Sequence, residues 1–190
     1  KSISEIFVFP NMSDGGLAFG ACLDQYPHKL RKIRNVYYGP DFSVKDMEDS
    51  LLKNNLDYVK PENAPKKIAK FLNEGKVVAR FGGRMEFGPR ALGNRSIIAS
   101  PSNFMTIHKI NKKIKVRDFW MPFAPSMLPS EYKRLLKKNN KLNHTYMTAS
   151  ADGTNVGIKN ISAALHPFDN TSRPHVVIKK YNPEFYHLLE

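Results

Sequence analysis

Between Arg80 and Ser96 the chain reads Arg-Phe-Gly-Gly-Arg-Met-Glu-Phe-Gly-Pro-Arg-Ala-Leu-Gly-Asn-Arg-Ser, with four arginines and four glycines in 17 positions. Arginine grips phosphate through a planar fork of N–H groups, and glycine lets backbone N–H groups come close to an anion. The positive sign persists onward: Arg80, Arg84, Arg90, Arg95, Lys109, Lys112, Lys113, Lys115 and Arg117 are opposed only by Glu86. Lys115 and Arg117 alternate with Ile114 and Val116, so an extended segment would put both cations on one side. The stretch predicts a cradle for a phosphate-bearing small molecule. A solvated basic face is the competing reading, and it leaves Gly-Pro-Arg and Gly-Asn-Arg within a few residues unexplained.

Other candidates are weaker taken alone. Asp169-Asn-Thr-Ser-Arg173 is a turn ending in a further arginine, with His166 just upstream. A histidine there could act as a general acid or base near neutral pH, although a lone histidine is more often structural. Ser13-Asp14-Gly15-Gly16 precedes a helix, where Asp14 could cap it, hold a metal or orient a phosphate; spacing favours the cap. The remaining histidines fit no metal-ligand spacing. Cys22, the single cysteine, lies among Ala18, Gly20, Ala21 and Leu23 and reads as a buried structural thiol.

Lys and Arg total 30 against 17 acids, a formal charge of +13, which points to a polyanionic partner. Hydrophobic residues at 41% and aromatics at 11% exclude intrinsic disorder. No apolar run is long enough to span a bilayer and no signal core follows the N-terminus, so no membrane partner and a cytoplasmic location are expected. The first residue is Lys1 and the last segment, Pro183 to Glu190, reads as the opening of a helix, so a fragment is expected.

These residues need elements to position them. Residues 3–9 read as a strand, followed by a turn and a helix over 17–26. Ser43 reads as the cap of a helix carrying Met47, Leu51 and Leu52, and 64–73 as a helix stopped by Gly75. Strands are expected at 77–81, 96–99, 122–128, 146–150 and 176–180, with helices at 103–113 and from Ser130, as its cap, to Leu136. Strands and helices alternate irregularly, so a mixed α/β sheet with flanking helices is expected rather than a doubly wound one.

The block Gly83-Arg-Met-Glu-Phe-Gly-Pro-Arg-Ala-Leu-Gly-Asn-Arg-Ser-Ile97, followed by Pro122-Phe-Ala-Pro-Ser126, resembles the C-terminal region of the nodulation-type O-carbamoyltransferases. Weaker similarity runs through Tyr146-Met147, the His166 to Arg173 segment and Pro183 to Leu189. The resemblance implies a remnant of an actin-like carbamoyl-transfer domain over 1–40 and a YrdC-like α/β domain over 41–190, truncated at its end. That domain would form carbamoyl-adenylate from carbamoyl phosphate and ATP, for transfer to a hydroxyl of a small molecule or saccharide.

By the same resemblance Arg90, Lys115 and Arg173 hold the reacting phosphates, with Arg84, Asn94, Arg95, Arg117, Ser126 and His166 completing the ligand-binding set. Asp14 would match an aspartate metal ligand (iron or Mg) whose histidine partners lie upstream in the family. The rest of the actin-like domain is the implied partner. Met121 stands where the family commonly has arginine, which implies a weak or inactive isolated piece. The rivals are an RNA-binding module and a degenerate structural domain. Arginines grouped with glycine and proline, rather than interleaved with aromatics, favour a pocket over a nucleic-acid groove.

Overall fold

The structure, a computed structural model, describes residues 3–29, 31–118 and 121–190. Among the described residues, four of the seven α-helices open on a side-chain cap and the other three have none. Helix α1 is Asp14–Gln25, and α2, Val44–Lys53, opens with a capping box: the Ser43 hydroxyl accepts from the Asp46 N–H, and the Asp46 carboxylate accepts from the Ser43 N–H. Asn63 caps α3, Ala64–Asn73, by accepting from the Lys66 N–H, and the chain leaves it through Gly75 at φ 72°.

Strands β1, Val78–Phe81, and β2, Arg95–Ile98, pair antiparallel with Arg80 opposite Ser96 and Phe81 opposite Arg95. Then follow α4, Met105–Ile110, and a π-helical turn, Asn111–Lys115. Strand β3, Ser126–Met127, precedes α5, Pro129–Leu135, and β4, Ala151–Asp152, precedes α6, Asn155–Asn160. Strand β5, Thr171–Ser172, is antiparallel to β4, and β6, His175–Val176, is parallel to β3. Helix α7, Pro183–Leu189, is capped by Asn182. Among the described residues the architecture is thus seven α-helices around three short two-stranded ladders, a mixed α/β fold.

Apolar burial is concentrated after residue 77. Met127, Tyr132, Leu135, Leu136, Ile161 and Leu165 form one cluster, and Val36, Leu92, Tyr146 and Met147 a second. In a third, Val177, Phe185 and Leu188 pack against Ile68 and Ala69, so α7 is clamped onto α3. Each large side chain fully withdrawn from water contributes about 2 kcal/mol. By contrast α1 and α2 contain no fully buried residue. Residues 36–40 are nevertheless stitched to the arginine loop, since Gly39 N–H donates to Met85 O, Met85 N–H to Pro40 O and Phe87 N–H to Val36 O.

Several expectations need correction. Residues 3–9 form one bridge, Ile6 to Leu142, rather than a strand, because no neighbouring segment offers a ladder of donors and acceptors along them. Cys22 is exposed, since α1 touches the body mainly through Phe19, which stacks on Phe9 at 5.2 Å and tilts against Phe87 at 5.8 Å.

The segment 114–117 is not extended. Buried Asn111 draws the chain back on itself, its carbonyl accepting from the Arg117 N–H and its amide donating to Asp118 O, and Val116 sits in the left-handed region at φ 47°. Ser130 is not the cap of α5; Pro129 opens that helix behind Leu128, and proline has no N–H that needs capping. Residues 146–150 are irregular, turning at Met147 with φ 55°, and pairing begins only at Ala151. Pairing expected over 176–180 is confined to His175–Val176. Helix α6 was not expected; Thr154 nucleates it by accepting from the Gly157 N–H.

Candidate anion-binding site

The glycine-rich excursion from Gly82 to Asn94 is closed where Gly82 N–H donates to Asn94 O at 3.1 Å. Its shape is set by Glu86, the one acid of the cationic run. One oxygen of this buried carboxylate accepts from the backbone N–H groups of Leu92 at 2.8 Å, Asn94 at 2.8 Å and Arg95 at 3.2 Å. A charged acceptor fixing three donors replaces the ladder that a 13-residue loop lacks. Gly93, at φ 105°, lies where a Cβ would overlap the Phe185 ring, so a larger residue there would push α7 away.

Most of the arginines then serve the loop. Arg80 donates to Gly93 O at 2.6 Å and to Asn94 Oδ1 at 3.1 Å, pairs with Glu184 at 3.2 Å and lies over the Phe185 ring. Arg84 reaches across to Gly39 O and Tyr38 O. Arg95 donates through one nitrogen to the carbonyls of Gly82, Gly83 and Asn94, with its guanidinium carbon 3.7 Å from the Phe81 ring centroid. Asn94 is buried, its oxygen accepting from Arg80 and Asn182 and its amide donating to Arg84 O. Among the expected ligand-binding residues, Arg84 and Asn94 therefore have their main polar groups committed to the protein itself, and Arg95 is committed through Nη1 while its Nη2 is shielded without a partner.

Arg90 is different. It is half-buried, and its Nε is shielded from solvent with no hydrogen-bond partner. Burial is the larger cause lowering its pKa, and the positive charge of Arg173 adds to it. Two guanidinium groups close enough to repel, one with an unsatisfied donor, form a charge arrangement that an oxyanion relieves. Arg173 is exposed at the end of a rigid turn, in which Asp169 accepts from both the N–H and the hydroxyl of Thr171. His166 belongs to that turn, with Nδ1 3.3 Å from the Asp169 carboxylate.

Lys115 closes the π-helical turn, and it and Arg117 are exposed; neither makes an ion pair among the described residues. Ser126 is half-buried at the start of β3, its hydroxyl 3.0 Å from Nδ1 of His175. Met121 is half-buried, its N–H donating to Asp118 O. Asp14 lies exposed in the first turn of α1. Among the described residues no three His, Cys, Asp or Glu side chains converge on a position for a metal ion.

Sequence reasoning overlooked Glu86, Asn182 and His175. Glu86 carried a signal: a lone acid inside a glycine- and arginine-rich loop. Asn182, just before Pro183, fits a cap pattern, yet nothing in the sequence shows its amide reaching Asn94 at 2.8 Å. His175 carried no local signal.

An uncharacterized protein of Methanocaldococcus jannaschii is 36% identical over 98% of this chain and 32% of its own length. Nodulation protein NolO of Bradyrhizobium diazoefficiens is 32% identical over 97% of this chain and 35% of its own. The 3'-hydroxymethylcephem-O-carbamoyltransferase of Streptomyces clavuligerus is 29% identical over 98% of this chain and 34% of its own. The chain thus spans about a third of the length of these relatives. The family described as "Carbamoyltransferase C-terminus" matches residues 69–190, from within α3 to the end of the chain. This chain, with the whole arginine loop inside the matched range, belongs to the carbamoyltransferase C-terminal family.

Proposed function

We propose that this chain forms the phosphate-binding part of an O-carbamoyltransferase. It would bind carbamoyl phosphate and ATP and form carbamoyl-adenylate, for transfer of the carbamoyl group to a hydroxyl of a small-molecule or saccharide acceptor. The observation that carries the reading is the shielded, partnerless Nε of Arg90 beside the like charge of Arg173. Arg80 is paired with Glu184, and Arg95 is held by three carbonyls although its Nη2 is also without a partner; Arg90 combines a partnerless nitrogen with the like charge of Arg173, and that combination is what an incoming anion relieves.

In the proposed chemistry, carbamoyl phosphate and water give carbamate and inorganic phosphate. A carbamate oxygen then attacks the α-phosphorus of ATP, and pyrophosphate leaves. The acceptor hydroxyl next attacks the carbamoyl carbon, losing its proton as AMP departs. The chain's own contribution is charge. Arg90 and Arg173 lower the repulsion between two polyanions and stabilise the negative charge that develops as pyrophosphate leaves. Lys115 adds a mobile point charge to the site that the arginines orient. In this reading residues 1–40 belong to an actin-like domain and the remainder to a YrdC-like one, and Asp14 would need ligands from the rest of a longer protein to hold a metal.

The test is carbamoyl-phosphate-dependent exchange of pyrophosphate into ATP by the full-length protein. Arg90→Ala is expected to abolish it, and undiminished exchange would remove the role assigned to Arg90.

One observation favours a second reading, a nucleic-acid surface. An open hollow of about 340 Å³ is lined by His108, Lys109, Lys112 and Lys113 among others, with no acid in its wall. RNA that raised the melting temperature strongly at low salt, with carbamoyl phosphate and ATP inert, would favour it.

A further inference from the structure

The polar groups around Arg90 have a one-sided chemistry. Guanidinium groups donate and never accept. Glu86, the one carboxylate of the loop, is turned inward onto three backbone N–H groups. Such a site suits phosphate oxygens, which only accept, but the NH2 of a carbamoyl group is a donor and needs an acceptor.

Ser126, on the strand paired with the one that Arg173 leads into, carries an oxygen that can accept. Strands β3 and β6 run side by side with Ser126 opposite His175, and Arg173 leads into β6 two residues before His175. The His175 imidazole is 2% exposed and stacks on Phe185 at 6.1 Å with 11° between the rings, while its backbone N–H donates to Pro125 O. The ring is thus held from its face and from its backbone. Burial, with no acid to offset it, pushes its pKa down to about 3, so the imidazole is neutral near pH 7. In the tautomer with its proton on Nε2 the neutral imidazole presents Nδ1 as an acceptor, and the Ser126 hydroxyl, 3.0 Å from Nδ1, then donates its only proton there. What remains on the half-buried oxygen is lone-pair capacity directed away from His175.

We infer that His175 is a positioning residue that holds the Ser126 hydroxyl as a hydrogen-bond acceptor for the carbamoyl NH2. The pair thereby distinguishes a carbamoyl group from an acetyl group of the same shape on the same phosphate. The inference rests on the carbamoyl phosphate reading given above. It adds a specificity element that charge alone does not supply, because carbamoyl phosphate and acetyl phosphate look alike to Arg90 and Arg173. A site built to pair with an N–H rejects the analogue that lacks one.

The experiment is calorimetric titration of the full-length protein with carbamoyl phosphate and with acetyl phosphate. The unaltered protein is expected to prefer carbamoyl phosphate. Ser126→Ala should weaken carbamoyl phosphate by about tenfold, the scale of one hydrogen bond, and leave acetyl phosphate unchanged. His175→Leu should lose the same preference, and His175→Asn, whose side-chain oxygen can stand in for Nδ1, should restore it. Equal weakening of both ligands in Ser126→Ala, or of neither, overturns the inference. Ser126 is only half-buried, so that variant tests the idea even if His175→Leu does not fold. If Arg90→Ala abolishes both ligands while Ser126→Ala keeps the preference, the phosphate reading stands and the specificity element falls. If the unaltered protein binds neither ligand, both fall together.

Discussion

Two faces of one loop use the same residue type for opposite ends. On the inner face Arg80 and Arg95 donate to loop carbonyls and lie on aromatic rings, Arg80 also pairing with Glu184, and they hold the backbone around Glu86, although Arg95 Nη2 has no partner. On the outer face Arg90 has a shielded donor with no partner and Arg173 for company. A protein-satisfied cation stabilises the fold, whereas a cation left unsatisfied costs stability and gains affinity for an anion. The difference predicts that substitutions on the two faces separate stability from binding.

Gly93→Ala should have the largest effect. It forces a positive φ on a residue with a Cβ and drives that atom into Phe185, the centre of the cluster joining α7 to α3. A loss of about 4 kcal/mol or more in urea unfolding is expected, from backbone strain and overpacking together. A loss under about 1 kcal/mol would mean the loop and α7 are not packed as described.

Glu86→Ala follows. It orphans the N–H groups of Leu92, Asn94 and Arg95 together, and about 3 kcal/mol should be lost. Glu86→Gln keeps an acceptor without the charge and should recover roughly half of that. Asn94→Ala, which strands Arg84 O and the Asn182 amide, should cost about 2 kcal/mol. All three should weaken anion binding only in proportion to the unfolded fraction.

Acidification probes the inner face from another side. His175 is neutral when buried but binds a proton when unfolded, so the unfolded state holds more protons wherever the pH lies between about 3 and the ordinary histidine value near 6.5. The stability this neutral ring contributes is therefore present above about 6.5 and is lost as pH falls toward 3. Burial lowers the His144 pKa in the same direction. Between pH 6.5 and 5, before carboxylates titrate, unfolding free energy should fall by about 1 kcal/mol per pH unit through His175. His175→Asn should flatten that slope; an unchanged slope would show that His175 is not buried neutral.

What the sequence made legible follows from locality. The capping residue Ser43 announced α2 and the stop at Gly75 announced the end of α3, because each acts within a few residues of the helix it bounds. The glycine and arginine pattern announced the loop. The strands at both ends of the chain were misread because pairing is a property of two segments: residues 3–9 have strand composition and one bridging partner. Periodicity also misled at Lys115 and Arg117, where Asn111 bends the chain into a π-helical turn through bonds to Arg117 and Asp118. Composition could not sort the arginines by face, because that depends on which carbonyls the folded loop brings within reach. Arg90 and Arg95 are indistinguishable in charge and spacing, and each keeps one shielded nitrogen without a partner; only the structure shows Arg95 also donating to three carbonyls while Arg90 lies beside the like charge of Arg173.

The smallest expected change in stability is also the most informative. Arg90→Ala removes a guanidinium that makes no protein hydrogen bond through Nε and that repels Arg173. Deleting it relieves repulsion and desolvation while losing some packing of the side-chain stem, so unfolding free energy should stay within about 0.5 kcal/mol of the parent. Inorganic phosphate should meanwhile raise the melting temperature of the parent in a salt-sensitive way and leave Arg90→Ala unmoved, since a ligand stabilises only the state that binds it. Arg95→Ala should give the reverse, lowering stability by about 2 kcal/mol through its three carbonyl bonds while a phosphate-induced shift survives in the folded fraction. If Arg90→Ala destabilised the protein as much as Arg95→Ala, the two faces would be one structural unit, and the case for an anion held between Arg90 and Arg173 would be lost.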